Sequence, residues 1–318
     1  MIVARSLEEA VTLATDVPHA VTIGNFDGVH IGHRELIRIT GEKAAVFGTR
    51  SVLVTFDPHP VHVVRGVGSP GIITPLSRKL ELLEEAGLDA VLVLPFTKAV
   101  AAMSAGEFVE SVLVRALNVK ELVIGFNFAL GKNRSGNLTT LTALGEEHEF
   151  MVTQVQPVIV GRETVSSTLI REHISSGDME KATLLLGRMH TVDGTVVPGE
   201  ARGRTLGYPT ANIEFPEMLL PPLGAYATWV QVFSDGAAEP RMSMTSVGTN
   251  PTFGGEKVTL ESHLLDFSGD LYGKKVRLHF ARRLRGEIRF KSVGDLVARL
   301  GHDAQAARDA LCREEKPC

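Results

Sequence analysis

The segment GNFDGVHIGH, residues 24–33, decides the fold of the first half of this chain. It follows a short apolar run, AVTIG at 20–24, and precedes an amphipathic stretch, RELIRITGEKAAVFG at 34–48. Its three glycines allow the backbone to turn sharply and to approach a ligand closely. A strand, a glycine-rich turn and a helix in this order are typical of open α/β sheets, which bind ligands at the carboxyl ends of their strands.

The same alternation continues beyond this segment. Further apolar runs predict buried strands at 51–56, 90–96 and 121–126, and amphipathic stretches predict helices at 75–87 and 104–118. Strands that alternate with helices of this length predict a parallel sheet whose two faces are both covered. The first half is therefore predicted to be an α/β domain.

The pattern changes after residue 187. Residues 166–187 read as two short helices with Gly177 and Asp178 at the turn. Beyond them, β-like runs such as GAYATWVQVF and KVTLESHLLDF are separated by Gly/Pro loops, and one helix closes the chain at 292–311. This spacing predicts an antiparallel sheet or a small barrel, and of these we expect an antiparallel β-barrel with a terminal helix. We expect two abutting domains, residues 1–187 and 188–318.

Composition excludes several classes of protein. The 318 residues include 33 Lys and Arg against 37 Asp and Glu, and only 3 Tyr and 1 Trp, so no basic stacking surface for nucleic acid is expected. The two cysteines, Cys312 and Cys318, form no CxxC pair, which favours a reducing, cytoplasmic compartment. No signal peptide and no membrane-spanning run is predicted, so no membrane partner is expected. The sequence leaves self-association open.

Two histidines stand at the head of the first predicted helix. His30 and His33 are separated by Gly32, after a turn that begins at Gly24. A helix N-terminus offers amide donors and a positive dipole end, and imidazoles there suit a phosphate that gains negative charge in a transition state. The alternative is a glycine-rich turn with two surface histidines.

The stretch SSTLIR at 166–171 suits the same chemistry. The hydroxyls of Ser166, Ser167 and Thr168 can cap a helix and also donate to a phosphate. Arg171 lies one turn further on and can reach the same anion. Helix capping alone would also explain the hydroxyl residues.

The HxGH element and SSTLIR together resemble the nucleotidylyltransferase superfamily. With TFDPHP (55–60) and GFNFALGKNRSG (125–136), they resemble the FAD synthetase module of bacterial bifunctional riboflavin kinase/FAD synthetases. The resemblance implies a Rossmann-like FMN adenylyltransferase domain with His30 and His33 as catalytic residues. The ATP- and phosphate-binding residues that it implies are Gly24, Phe26, Gly32, Asn127, Ser166, Ser167, Thr168 and Arg171. The chain departs from the family pattern at Ala129, where Arg is frequent, and at Leu130, where Phe is frequent.

The second half contains a possible oxygen-ligand site in GEARGRTLGYPTANIEF (199–215). Thr210 and Asn212 are two residues apart, so their side-chain oxygens can face one magnesium ion or phosphate. Glu261 lies in an apolar run, where a lone carboxylate is costly unless it is used or paired. Alternatively, Thr210 and Asn212 are ordinary turn residues, and Glu261 is a strand residue paired with a nearby Arg. No GxxxxGK[ST] phosphate loop is present.

The motifs PTAN, LESHLLDF, LYGKKV and LRGEIRF resemble the riboflavin kinase domain over residues 188–311. The resemblance implies that Thr210 and Asn212 contact Mg2+ and ATP and that Glu261 is the catalytic base. It also implies that Gly203, Arg204 and Arg285 bind ATP or flavin. The chain departs from the pattern at Ser246, where Asn is common, and at Asn250, where Arg is common.

Together these resemblances predict two reactions, with Mg2+ as cofactor and ATP as co-substrate. Riboflavin and ATP would give FMN and ADP in the second domain, and FMN and ATP would then give FAD and pyrophosphate in the first. A kinase needs a base for its alcohol, whereas the FMN phosphate, with a second pKa of about 6, is already largely ionised. Two alternatives are an adenylyltransferase that acts on another phosphate acceptor, and a flavin-binding regulatory protein with inactive sites.

Overall fold

The computed structural model describes residues 1–13, 17–65, 70–199, 202–233, 239–252, 255–314 and 316–317. The chain divides into two compact units, Met1–Ser166 and Ser167–Cys318. Among the described residues, no helix is long and apolar enough to cross a bilayer.

The first unit alternates strands and helices. Its strands are β1 Ile2–Ala4, β2 His19–Ile23, β3 Arg50–Asp57, β4 Ala90–Pro95, β5 Val119–Gly125, β6 Met151–Val155, β7 Ile159–Val160 and β8 Glu163–Thr164. Its helices are α1 Leu7–Leu13, α2 Ile31–Phe47, α3 Pro60–Arg65, α4 Leu76–Glu85, α5 Lys98–Ala102, α6 Ala105–Phe108 and α7 Leu138–His148. A π-helical segment, Val109–Ala116, continues α6, and a 3₁₀ turn, Lys132–Arg134, precedes α7.

Six of these strands form one parallel sheet in the order β1-β4-β3-β2-β5-β6, which confirms the predicted sheet. Strand β2 pairs with β3 on one side and with β5 on the other. The chain thus reverses its direction of winding at β2, and a topological switch point of this kind opens a ligand crevice at the carboxyl ends of the strands. The segments that follow β2 and β5 both leave the sheet at this switch point.

The strands of this sheet are apolar on both faces because each face is covered. Val52 and Val54 of β3 join one buried cluster, whereas Leu53 joins a second cluster that includes Leu82 and Leu83 of α4. The stretch predicted as a helix at 104–118 is helical and buries its apolar residues. It is not one regular α-helix, however, because residues 109–116 are π-helical.

The second unit begins with the helical pair α8 Ser167–Ser176 and α9 Met179–Leu186. Its remaining elements are β9 His190–Val197, α10 Arg202–Thr205, β10 Ala211–Glu214, β11 Gly224–Phe233, β12 Arg241–Thr252, β13 Gly255–Leu264, β14 Lys275–Gly286 and α11 Val293–Leu311. The strands close an antiparallel barrel in the order β10-β13-β12-β11-β14-β9, as predicted. Helix α11 packs on the barrel, where Ala307 and Leu311 share a buried cluster with Trp229.

The structure adds two points to the sequence prediction. Strand β10 begins within the PTAN motif (209–212), for which the sequence suggests a loop, and it pairs with both β9 and β13. Helices α8 and α9 group with the barrel because α9 packs against β9 and β14. This grouping divides the chain between Ser166 and Ser167. The boundary after Gly187 concerns which residues serve each activity, and it stays a prediction.

Candidate active sites

The turn after β2 brings the two predicted histidines into contact. His30 is the N-cap of α2, and its Nδ1 accepts a hydrogen bond of 3.2 Å from the backbone N–H of His33. The two rings stack with centroids 3.5 Å apart and planes 15° apart. Because a helix N-terminus carries a partial positive charge and spare amide donors, both imidazoles lie where a phosphate would be stabilised.

Two glycines lie close to these rings, where a side chain would be in tight contact. A Cβ at Gly32 would lie 3.2 Å from Nδ1 of His30, and one at Gly24 would lie 3.1 Å from the ring of Phe26. Phe26 is buried and its ring lies 4.6 Å from that of His33. Its backbone has φ 47°, which a bulky residue adopts only when its surroundings hold it there. The structure therefore assembles Gly24, Phe26, His30, Gly32 and His33 into one compact turn.

Two buried residues that sequence reasoning missed, Asp27 and Lys79, stabilise this turn by hydrogen bonds. The buried Asp27 carboxylate accepts hydrogen bonds from the backbone N–H groups of Ile73 (3.1 Å) and Thr74 (3.0 Å). The ammonium group of Lys79 donates to the carbonyl of Asn25 at 2.8 Å. Burial lowers the pKa of Lys79, while the charge on Asp27 acts in the opposite direction. The only signal in the sequence was a lysine among the apolar residues of a predicted helix.

The segment after β5 forms the other side of the crevice. Asn127 is exposed there, and its backbone carbonyl accepts a hydrogen bond of 3.1 Å from the Arg134 guanidinium. Leu130 is buried and exchanges backbone hydrogen bonds of 3.1 and 2.9 Å with Gly136, closing the loop at its base. Ala129 is half-buried. The departure at Leu130 therefore lies at the base of the loop.

The residues of SSTLIR fall on both sides of the division between the units. Ser166 ends the first unit, and Ser167, Thr168 and Arg171 lie in the first turns of α8 in the second unit. The hydroxyl groups are thus at a helix N-terminus, as predicted. Their binding of phosphate remains a prediction.

In the barrel, the predicted base and oxygen ligands lie side by side. The Thr210 hydroxyl donates a hydrogen bond of 3.2 Å to Oε2 of Glu261. Asn212 on β10 is the direct antiparallel partner of Glu261 on β13, and Ser246 on β12 is its direct partner on the other side. Directly opposed residues share one face of a sheet, so these side chains form a row across three strands. The departure at Ser246 therefore lies next to the predicted base.

The loop before β10 packs closely against this row. A Cβ on Gly199 would lie 2.0 Å from the side-chain nitrogen of Asn212, and a Cβ on Gly203 would lie 2.3 Å from the carbonyl of Tyr208. At Gly203 the clash would be with backbone, so a side chain does not fit there, whereas at Gly199 the side chain of Asn212 would have to move. Arg204 is exposed beside them. The side chains of Arg202 and Asn250 lie outside the described part of the chain.

Arg285 lies apart from this row. It is on β14, which is not adjacent to β13 in the barrel, and its Nε donates to the buried Asp303 of α11 at 2.8 Å. Arg299 also contacts Asp303, at 3.0 Å. Arg285 therefore fastens α11 to the barrel, and its binding of ATP or flavin remains a prediction.

Comparison with known proteins covers both units. The family model described as FAD synthetase matches residues 13–169, and the one described as riboflavin kinase matches residues 186–311. A relative from Escherichia coli K12 named bifunctional riboflavin kinase/FMN adenylyltransferase is 36% identical over 289 residues, 91% of each chain. A relative of the same name from Listeria monocytogenes is 36% identical over 304 residues, 95% of each chain. A solved structure named macrolide-efflux protein, from Streptococcus pneumoniae, is 30% identical, covers 96% of this chain and 98% of its own, and superimposes with a TM-score of 0.84.

Proposed function

The chain belongs to the bifunctional riboflavin kinase/FMN adenylyltransferase family, and from this premise we propose that it converts riboflavin to FMN in the barrel and FMN to FAD in the α/β domain. The observation that carries the proposal is the contrast between the two sites. In the barrel a carboxylate, Glu261, lies beside neutral oxygen donors. In the α/β domain two imidazoles stand at a helix N-terminus, and the nearby Asp27 carboxylate binds backbone amides.

Phosphoryl transfer to riboflavin requires a base because an alcohol is almost never ionised at neutral pH. Glu261 accepts the proton of the ribityl 5′-hydroxyl as its oxygen bonds to the γ-phosphorus of ATP, and the bond from that phosphorus to ADP breaks. The Thr210 hydroxyl holds one carboxylate oxygen in place. Asn212, on the same face as Glu261, would orient the nucleotide phosphates.

A magnesium ion fits the donors at this site. Mg2+ prefers oxygen ligands and often shares them with substrate phosphates. Thr210 and Asn212 offer a hydroxyl and an amide oxygen, and Gly199 lacks the Cβ that would occupy the space of the Asn212 side chain. Within the described residues, no group of three or more His, Cys, Asp or Glu side chains could hold a metal ion, so ATP would supply further ligands. When bound, the ion neutralises charge on the transferred phosphoryl group.

Adenylyl transfer needs cations and donors rather than a base. The FMN phosphate attacks the α-phosphorus of ATP, and pyrophosphate leaves. His30 and His33, with the amides of the α2 N-terminus, would stabilise the charge that develops on these phosphates. We assign Ser167, Thr168 and Arg171 to the same reaction, so the functional domain extends to residue 187. We place both reactions in the cytoplasm.

The test is a time course with the purified chain. Riboflavin, ATP and Mg2+ are supplied, and the flavins are separated by chromatography. We expect FMN first and FAD later, with neither formed when EDTA replaces the metal. FAD formed from supplied FMN without any riboflavin kinase activity would remove the barrel from the proposal, and the absence of both products would overturn it.

A further inference from the structure

The helix that begins with the phosphate-binding motif is attached to the kinase barrel. Helix α8 starts at Ser167 and leads through Gly177 into α9, which packs against β9 and β14. Met179, Ala182, Leu185 and Leu186 of α9 are all buried. We call α8, Gly177, Asp178 and α9 the α8–α9 hairpin. Its packing makes it part of the barrel unit, although its first turn would serve the other reaction.

The turn of the hairpin lies against one arginine of β14. Gly177 has φ +83°, and a Cβ there would lie 2.8 Å from Cδ and 3.2 Å from Nη1 of Arg283. The Arg283 guanidinium is held in place because its Nη2 donates to the carbonyl of Leu223 at 3.0 Å. The backbone of the turn thus packs directly against the Arg283 side chain, and no Cβ separates the two.

The preceding residue of β14, Arg282, forms an ion pair with the hairpin. Nη2 of Arg282 lies 2.5 Å from Glu180 in the first turn of α9. Adjacent strand residues normally point to opposite faces, but the ladder between β11 and β14 shifts register on both sides of Arg282 and Arg283. Irregularities of this kind re-aim side chains, which explains how two neighbouring arginines both reach the hairpin.

We propose that Arg282 and Arg283 are positioning residues for adenylyl transfer, because they fix the hairpin that presents Ser167, Thr168 and Arg171. The inference rests on the proposed function of these three residues. A helix transmits a displacement at its base to its first turn, and a misplacement of about 1 Å in an active site can cost about 100-fold in rate.

The test compares both activities in charge-reversed variants. For Arg282→Glu we expect kcat/KM for ATP in FAD synthesis from supplied FMN to fall by about 10- to 100-fold, while kcat/KM for ATP in riboflavin phosphorylation changes by less than about twofold. The double variant Glu180→Arg with Arg282→Glu restores the pair in reverse and should recover most of the loss. Gly177→Ala should reproduce the loss, because the alanine would be strained at φ +83° and would displace the turn from Arg283. Arg308→Ala, which removes an arginine paired with Asp266 in the same unit, is the matched control.

Each outcome decides the proposal. Selective loss of FAD synthesis with recovery in the double variant supports it. Equal loss of both activities would indicate a damaged barrel, and unchanged FAD synthesis or no recovery in the double variant would show that the ion pair positions nothing; any of these overturns it. A wild-type chain that makes no FAD would instead contradict the proposed function, so the two failures are distinguishable.

Discussion

The Thr210 hydroxyl and the Glu261 carboxylate are joined by a hydrogen bond of 3.2 Å between side chains 51 residues apart in the sequence. The bond fixes one carboxylate oxygen beside Asn212, the direct cross-strand partner of Glu261. The proposed base and the neutral oxygen donors proposed as ligands are therefore held on one face of the barrel, as phosphoryl transfer to an alcohol would require.

The first prediction removes the basicity of this carboxylate without removing its shape. Glu261→Gln keeps an oxygen that accepts from Thr210 but cannot take a proton at neutral pH. We expect riboflavin phosphorylation to fall by about 10²- to 10⁴-fold, the usual contribution of a general base. FAD synthesis from supplied FMN should be unchanged. Glu214→Gln, an exposed glutamate on β10, is the control, and a variant that still makes FMN at the normal rate would exclude Glu261 as the base.

The second prediction separates the two roles of His30. His30→Asn retains a good N-cap for α2, so the helix start should survive while the imidazole is lost. We expect FAD synthesis to fall by about 10²- to 10³-fold, as when a preorganised donor is removed from an active site. Riboflavin phosphorylation should persist.

His148→Asn in α7 is the matched histidine control in the same unit. If His30→Asn proved fully active while His30→Ala was inactive, His30 would act only as a helix cap. His33→Ala leaves the His30 cap in place. It should lose FAD synthesis whether His30 acts on the phosphate or only as a cap.

Much of this arrangement was readable from the sequence because it depends on local order. The strand, turn and helix around His30 and His33 follow one another along the chain, and the apolar runs of the sheet are long enough to recognise. Residue spacing alone does not predict the row of side chains in the barrel. Glu261 pairs with Asn212 because β10 lies next to β13. Strand β10 has only four residues and one buried side chain, which is too few for an alternation of apolar and polar residues to be recognised.

Two tertiary contacts, one at Lys79 and one at Arg283, were missed for a related reason. Lys79 reaches the carbonyl of Asn25 across 54 residues of sequence, and a lysine in an amphipathic helix normally points to solvent. Arg283 contacts Gly177 only because the barrel folds β14 beneath the α8–α9 hairpin. Tertiary partners of this kind leave no local pattern.

The third prediction concerns the space beside Asn212. In Gly199→Ala, the new Cβ would lie 2.0 Å from the Asn212 side-chain nitrogen, so the amide must move. We expect KM for ATP in riboflavin phosphorylation to rise by about tenfold, corresponding to about 1.4 kcal/mol of lost binding. FAD synthesis from supplied FMN should not change. Gly294→Ala in α11, where a Cβ makes only ordinary contact, is the control. Unchanged steady-state kinetics would show that Asn212 does not orient the nucleotide.

The last prediction uses Tyr226, a fully buried residue of β11 whose hydroxyl donates to the carbonyl of Pro222 at 2.5 Å. Burial raises the pKa of Tyr226 to about 12 from an ordinary value near 10.0, and the charge of Arg283 opposes the shift. The folded barrel therefore keeps this proton at pH values where the unfolded chain has released it. The stabilisation is present in full below about pH 10 and is lost as the pH rises to about 12.

Trp229, the single tryptophan, lies buried three residues away on the same strand, so its fluorescence in urea reports unfolding of the barrel. We expect the free energy of unfolding to fall more steeply with pH in the wild-type chain than in Tyr226→Phe over this alkaline window. At neutral pH the free energy of unfolding of Tyr226→Phe should be lower by about 1 kcal/mol, because the Pro222 carbonyl loses its hydrogen-bond donor. Tyr272→Phe changes a half-exposed tyrosine and should keep the wild-type slope. Equal slopes for Tyr226→Phe and the wild-type chain would show that the Tyr226 phenol titrates alike in the folded and unfolded states.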